Sequence, residues 1–173
     1  MGYTGGTREN PTYRALGDHA ESIEVYYDPG VISYRELLEI FWKSHDPEER
    51  PWSRQYMSAI FYRNEEQKKL AVESMERQEA KTHGKIYTEI VPAARFYPAE
   101  DYHQKYYLRQ RPDLVSDFRT IYPHENFVDS TAAARVNGFL AGYGSYAALK
   151  ADLSKLLSPG EDMRLLKILG QRS

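Results

Sequence analysis

Residues 21–42 read ESIEVYYDPGVISYRELLEIFW, and the apolar period changes partway through them. Glu21, Ile23, Val25 and Tyr27 alternate with Ser22, Glu24 and Tyr26, which is the two-residue period of a strand. Asp28-Pro29-Gly30 is turn chemistry and closes that strand. Beyond it, Ser33 and Glu36 have the spacing of a capping box, and Tyr34, Leu37, Leu38, Phe41 and Trp42 recur at helical spacing. The stretch therefore predicts a strand that turns directly into an amphipathic helix, the start of a body mixing sheet and helix.

Working upstream, Gly2, Gly5 and Gly6 followed by Asn10-Pro11 predict a loop rather than regular structure. Downstream, the first helix should end near His45-Asp46-Pro47, because proline disfavours helical geometry in the residue before it. A polar surface loop follows, then a strand over 58–62. Asn64 should cap a helix running to about Thr82, with Leu70, Ala71, Ser74, Met75 and Gln78 on its inner side. A third strand is expected over 85–91, and a helix from Pro98 to about Gln110 that Arg111-Pro112 interrupts. After Pro112 the texture changes to helices over 114–122, 130–140 and 146–157, a loop from Pro123 to Asp129, and a short basic helix at the end. The expected organisation is a body over 1–112 and a helical extension over 113–173 packed on it.

Composition excludes several classes of function. Of 173 residues, 41% are hydrophobic and 28% charged, with a formal net charge of −2, an ordinary globular profile. No dense Lys/Arg stripe marks a nucleic-acid surface. No apolar run approaches a bilayer span, and residues 1–6 lack a signal-peptide pattern, so a cytoplasmic protein is expected. The sequence holds no cysteine, hence no disulfide framework and no thiolate metal site. Its 15 tyrosines suit either a tyrosine-lined pocket or a small core.

Glu21 is the sharpest chemical feature. It shares a strand face with Ile23, Val25 and Tyr27, and a carboxyl at the edge of an apolar face should have its charged form disfavoured by desolvation. A carboxyl that keeps its proton near neutral pH can act as a general acid. From parity alone, the solvated end of the strand is the favoured place for Glu21. Glu100 and His103 stand at i, i+3, a spacing used in carboxylate-bridged di-iron sites, but such sites need the motif twice, so no metal is expected.

Many short segments also follow one another in a familiar order. They are Gly2-Tyr3-Thr4-Gly5-Gly6, Asn10-Pro11-Thr12-Tyr13, His19-Ala20-Glu21, Tyr27-Asp28-Pro29, Ile32-Ser33-Tyr34, Phe41-Trp42, His45-Asp46-Pro47, Gln55-Tyr56, Ser58-Ala59-Ile60-Phe61, Thr88-Glu89-Ile90, and the run from Phe96 to Gln104. In this order they resemble the peptide methionine sulfoxide reductase A family over roughly residues 2–112. The resemblance implies an α+β fold, a mixed or antiparallel sheet flanked by helices, to which the C-terminal helical extension is added. It also implies reduction of methionine-S-sulfoxide, free or in peptides and proteins, with no bound cofactor and with an external thiol reductant of the thioredoxin or glutathione type.

In that family a cysteine within a Gly-Cys-Phe-Trp-Gly segment attacks the sulfoxide sulfur. A glutamate hydrogen-bonds and protonates the oxygen, and two tyrosines help hold it. By motif, the resemblance assigns the glutamate to Glu21 and the tyrosines to Tyr13 and Tyr56, as both catalytic and substrate-binding residues. The sequence departs from the family pattern in three places. The cysteine-bearing segment has no match, Leu16-Gly17-Asp18 occupies a stretch that is longer in many relatives, and no residue matches the family's loop aspartate. The chain as it stands is therefore expected to be inactive. The alternative is a non-catalytic binding module derived from the reductase fold. Met1 stands where relatives commonly have valine, and a valine GTG codon can be taken for a start. The upstream nucleotides are therefore expected to encode, in frame, a Cys-Phe-Trp-like segment; a stop codon directly upstream would remove that expectation.

Overall fold

A computed structural model describes residues 1–122 and 126–170. Contacts divide the chain into two compact units, Met1–Glu100 and Asp101–Ser173.

The first unit is built from two small sheets and two helices. Strands β1 (Gly2–Thr4), β2 (Ala20–Ser22) and β5 (Tyr97–Pro98) form an antiparallel sheet ordered β2-β1-β5. Strands β3 (Ala59–Tyr62) and β4 (Glu89–Pro92) form a parallel pair, in register from Ala59 opposite Glu89 to Tyr62 opposite Pro92. Parallel neighbours need a crossover, and α2 (Glu65–Glu79) supplies it. Helix α1 is Tyr34–Lys43.

The predicted caps are present. Ser33 and Glu36 close a reciprocal capping box on α1, and Asn64 accepts from the Gln67 amide at the start of α2. Leu38 and Trp42 on α1, Ile60 on β3 and Ala71 on α2 form the core between these elements. Inside it, the Trp42 indole donates to Ser74 Oγ at 2.9 Å, and that hydroxyl donates to the Ala71 carbonyl at 2.7 Å. A second, smaller cluster gathers Tyr3, Leu16 and Ala99 around the antiparallel sheet.

Three sequence expectations are corrected in this unit. The glycine-rich opening is not a loop: Gly2–Thr4 is the central strand of the antiparallel sheet. Glycine is required there for a packing reason, since a Cβ on Gly2 would collide with the Phe96 ring and the Tyr97 carbonyl oxygen. The strand expected over 21–27 is Ala20–Ser22 only. Its pairing with β1 ends where Ser22 meets Gly2, and Ile23 and Val25 beyond it are 75% and 51% exposed, so they build no apolar wall beside Glu21. The third strand starts later than read, at Glu89.

The second unit is helical: α3 (Tyr106–Arg109), α4 (Pro112–Ile121), α5 (Thr131–Leu140), α6 (Tyr146–Leu156) and α7 (Pro159–Gly170). The helix expected from Pro98 to Gln110 is broken instead. A 3-10 turn over Asp101–His103 is followed by Lys105 in the left-handed region (φ 47°), and α3 begins only after it. Leu108 of α3 lies fully buried with Leu114, Phe118, Val136, Leu153 and Leu165. This is why the helical unit already includes α3, ahead of the change in composition at Pro112. Part of the loop expected from Pro123 to Asp129, and the last residues of the basic C-terminal helix, lie outside the described residues.

The Trp42–Ser74 contact is buried at both ends. Ser74→Ala would leave the indole N–H without its acceptor, so it is expected to cost about 1–3 kcal/mol. Urea unfolding followed by Trp42 fluorescence, in a Trp52→Phe background to remove the exposed second tryptophan, measures it.

Candidate active site

The site is assembled by the loop joining β1 to β2. Gly5 has φ +80°, which only glycine adopts readily, and a Cβ there would lie 2.8 Å from the Phe61 ring. The chain leaves the sheet at this point and returns at Asp18 and His19, where side chains latch it shut. The Thr7 amide donates to Asp18 Oδ1 at 2.8 Å and the Thr7 hydroxyl to Oδ2 at 3.1 Å. The backbone hydrogen bond from Thr7 is the main cause of the lowered Asp18 pKa. His19 is buried, with Nδ1 accepting from the Gly6 amide at 3.2 Å and Nε2 2.7 Å from the Arg8 carbonyl. These partners assign the proton to Nε2. At the tip of the loop Thr12 pairs with Ala15, placing Tyr13 and Arg14 in a tight turn.

Opposite this loop, Arg54–Tyr56 forms a single 3-10 turn just before β3. Arg54 fixes it to the start and end of the loop, donating from Nε to the Asp18 carbonyl at 2.9 Å and from Nη2 to the Gly5 carbonyl at 3.3 Å. Glu21 stands on β2 directly across from Tyr3.

The structure brings the three sequence-assigned residues together. Gln55 Nε2 donates to Glu21 Oε1 at 2.6 Å and to the Tyr56 hydroxyl at 3.1 Å. The Tyr13 phenol also acts on Tyr56 through hydrogen bonding. That bond is the first cause of a raised Tyr56 pKa, followed by desolvation and by the nearby Tyr13 and Glu21; the Gln55 amide pulls the other way. Tyr13 and Tyr56 are 39% and 41% exposed and Glu21 is half-buried, so the cluster faces outward. Two cavities in the helical unit, of about 200 and about 520 Å3, are lined by none of these residues.

The polar surroundings of Glu21 replace the apolar enclosure expected from strand parity. The Gln55 amide contacts the carboxyl and links it to the Tyr56 phenol, with Tyr13 acting on Tyr56 in turn, a set of donors and acceptors suited to a ligand oxygen. Sequence reasoning missed Gln55 as the link between Glu21 and Tyr56, although it sits beside Tyr56 in a quoted motif. It also missed Arg54, whose hydrogen bonds go to backbone carbonyls, contacts that leave no spacing signal. Glu100, weighed for a metal, instead accepts hydrogen bonds from Tyr3 and Tyr13. No group of three or more His, Asp or Glu side chains placed to hold a metal ion occurs among the described residues.

Known proteins resemble this chain over much of its length. The family model for peptide methionine sulfoxide reductase matches residues 1–135. A peptide methionine sulfoxide reductase of Drosophila melanogaster is 46% identical over 154 residues, covering 88% of this chain and 62% of its own length. Peptide methionine sulfoxide reductase A5 of Oryza sativa subsp. japonica is 42% identical, covering 82% of this chain and 58% of its own length. The chain thus spans about three fifths of the length of these relatives. Among solved structures, reduced Mxr1 from Saccharomyces cerevisiae superposes with a TM-score of 0.58 at 32% identity, over 65% of this chain and 70% of its own.

The Tyr13–Tyr56 contact predicts a titration signature. Tyr13→Phe removes the first cause of the raised Tyr56 pKa, so that phenol should titrate at lower pH than in the parent. Gln55→Leu removes the opposing hydrogen bond and should move it higher. The 13Cζ shift of Tyr56, followed by NMR across the alkaline range, reads both directions.

Proposed function

The chain belongs to the peptide methionine sulfoxide reductase family, and from that premise we propose that Glu21, Tyr13 and Tyr56 bind the oxygen of a methionine-S-sulfoxide. The supporting observation is the Gln55 amide that bridges Glu21 and Tyr56, with Tyr13 the first influence on Tyr56. A sulfoxide oxygen is a strong acceptor, and two phenols and a carboxylic acid are donors of the right kind when grouped on one face. Gln55 occupies Oε1 of Glu21, and Oε2 accepts no hydrogen bond among the described residues. In this reading Oε2 is the oxygen that carries the proton to the substrate.

The reaction proposed for the whole protein reduces methionine-S-sulfoxide to methionine. A cysteine thiolate attacks the sulfoxide sulfur while the oxygen gains a proton from the Glu21 carboxyl. The oxygen passes to the cysteine as a sulfenic acid, and the methionine thioether is released. Two equivalents of an external thiol, such as thioredoxin or a glutathione-type reductant, then return the cysteine to its thiol form, leaving a disulfide and water. No cofactor enters this cycle. The attacking sulfur cannot come from these 173 residues, which contain no cysteine.

That same fact favours one alternative, a binding module that recognises methionine sulfoxide without reducing it. Two measurements separate the readings. In an NMR titration, N-acetyl-methionine-S-sulfoxide amide should bind in preference to the R epimer. Glu21→Gln and Tyr56→Phe should each weaken it by roughly 2–10-fold, the range for one hydrogen bond. Equal affinity for the two epimers, or variants that bind as well as the parent, would count against the site.

Turnover with dithiothreitol should be undetectable for this chain. It should appear when the family's Gly-Cys-Phe-Trp-Gly segment and its flanks are joined ahead of Gly2. A joined protein that binds the S-sulfoxide but never reduces it would favour the binding module.

A further inference from the structure

Glu100 follows the last strand of the first unit and uses both carboxylate oxygens. The buried Tyr3 hydroxyl donates to Oε2 at 2.6 Å, and the backbone N–H of Tyr13 donates to Oε1 at 2.9 Å. We propose that Glu100 is a positioning residue for the site: by holding the Tyr3 hydroxyl and the Tyr13 amide together, it sets where the Tyr13 phenol meets Tyr56. The proposal rests on the sulfoxide-binding reading above.

The anchor at one end is rigid. Tyr3 is 1% exposed and lies in the central strand, opposite Glu21 on β2 and Tyr97 on β5. Glu100 is itself tied down on the same edge, since the neighbouring Ala99 amide donates to the Met1 carbonyl at 3.1 Å. The other end is a lever. Tyr13 sits at the tip of the Thr12–Ala15 turn, whose two backbone hydrogen bonds measure 2.9 and 3.4 Å. A small rotation of that tip displaces the phenol at the far end of the Tyr13 side chain by much more. The latches at Asp18 and His19 hold the base of the loop, whereas Glu100 grips its tip.

The carboxylate is chemically suited to this task because the Tyr3 hydroxyl and the Tyr13 amide are both donors, and it presents two acceptors. A glutamine offers one acceptor and an NH2 group, and the NH2 would face a donor whichever way it turned. Glu100→Gln therefore loses one of the two contacts while keeping shape and volume.

The test uses the full chain and needs no turnover. In Glu100→Gln, the Tyr56 13Cζ titration should move to lower pH, in the direction expected of Tyr13→Phe. Adding Glu100→Gln to Tyr13→Phe should change it no further, because the effect runs through the Tyr13 hydroxyl. Tyr3→Phe, which keeps the buried ring but removes the anchor, should move it in the same direction and serves where Glu100→Gln folds poorly. The S-sulfoxide affinity should fall by roughly 2–10-fold in Glu100→Gln.

A Tyr56 titration unchanged in folded Glu100→Gln or Tyr3→Phe would overturn the proposal. So would a further shift in the double variant, which marks a general structural effect. A Tyr56 shift without sulfoxide binding by any variant or by the parent would uphold the positioning role and defeat the sulfoxide reading.

Discussion

Tyr3 is the residue on which the first unit turns. Its backbone pairs with Glu21 on one side and Tyr97 on the other, and its hydroxyl meets the carboxylate of Glu100. One strand of three residues thus fixes both the proton-bearing candidate and the support of a phenol beside it. Register matters more than burial here. A slip of one residue in β1–β2 would turn Glu21 to the other face of the sheet, away from Gln55 and Tyr56. The glycine at position 2 protects that register, because any side chain there meets Phe96 and the Tyr97 carbonyl.

How far the sequence revealed this depends on the range of the interactions involved. Capping boxes and helical spacing act within one turn, so α1 and α2 were legible from Ser33, Glu36 and Asn64 alone. β1 was misread because glycine ordinarily weakens a strand. The reason for Gly2, a close approach by residues more than ninety positions away, has no local trace. Strand parity placed Glu21, Ile23 and Val25 on one face, but parity says nothing about where pairing stops. Pairing stops at Ser22, and so Glu21 is surrounded by polar groups instead of apolar ones.

The same distinction explains the second unit. The change of texture at Pro112 is a statement about composition, whereas Leu108 belongs to the helical core by burial. Nothing in the run from Pro98 to Gln110 announces a break at Lys105, a non-glycine residue in the left-handed region. The order of motifs picked out Tyr13, Glu21 and Tyr56, which the fold then gathers at one place. Motif order could not supply Gln55 as their link, because a hydrogen bond between a side-chain amide and a carboxylate thirty-four positions away is a property of the folded chain.

The proton inventory of the cluster constrains what binding must involve. A phenol has one proton to donate. Tyr13 is the first influence holding the Tyr56 proton to higher pH, and the Tyr56 oxygen already accepts from Gln55. In the proposed binding mode, a sulfoxide oxygen that takes a hydrogen bond from Tyr56 competes with Tyr13 for that phenol. Exchanging one acceptor for another contributes little net free energy, of the order of 0.5–1.5 kcal/mol. If the proposed site binds a sulfoxide, the phenols would supply orientation more than affinity. In the proposed reading, transfer of the proton itself falls to Glu21, the one carboxyl in the group Tyr13, Tyr56, Gln55 and Glu21.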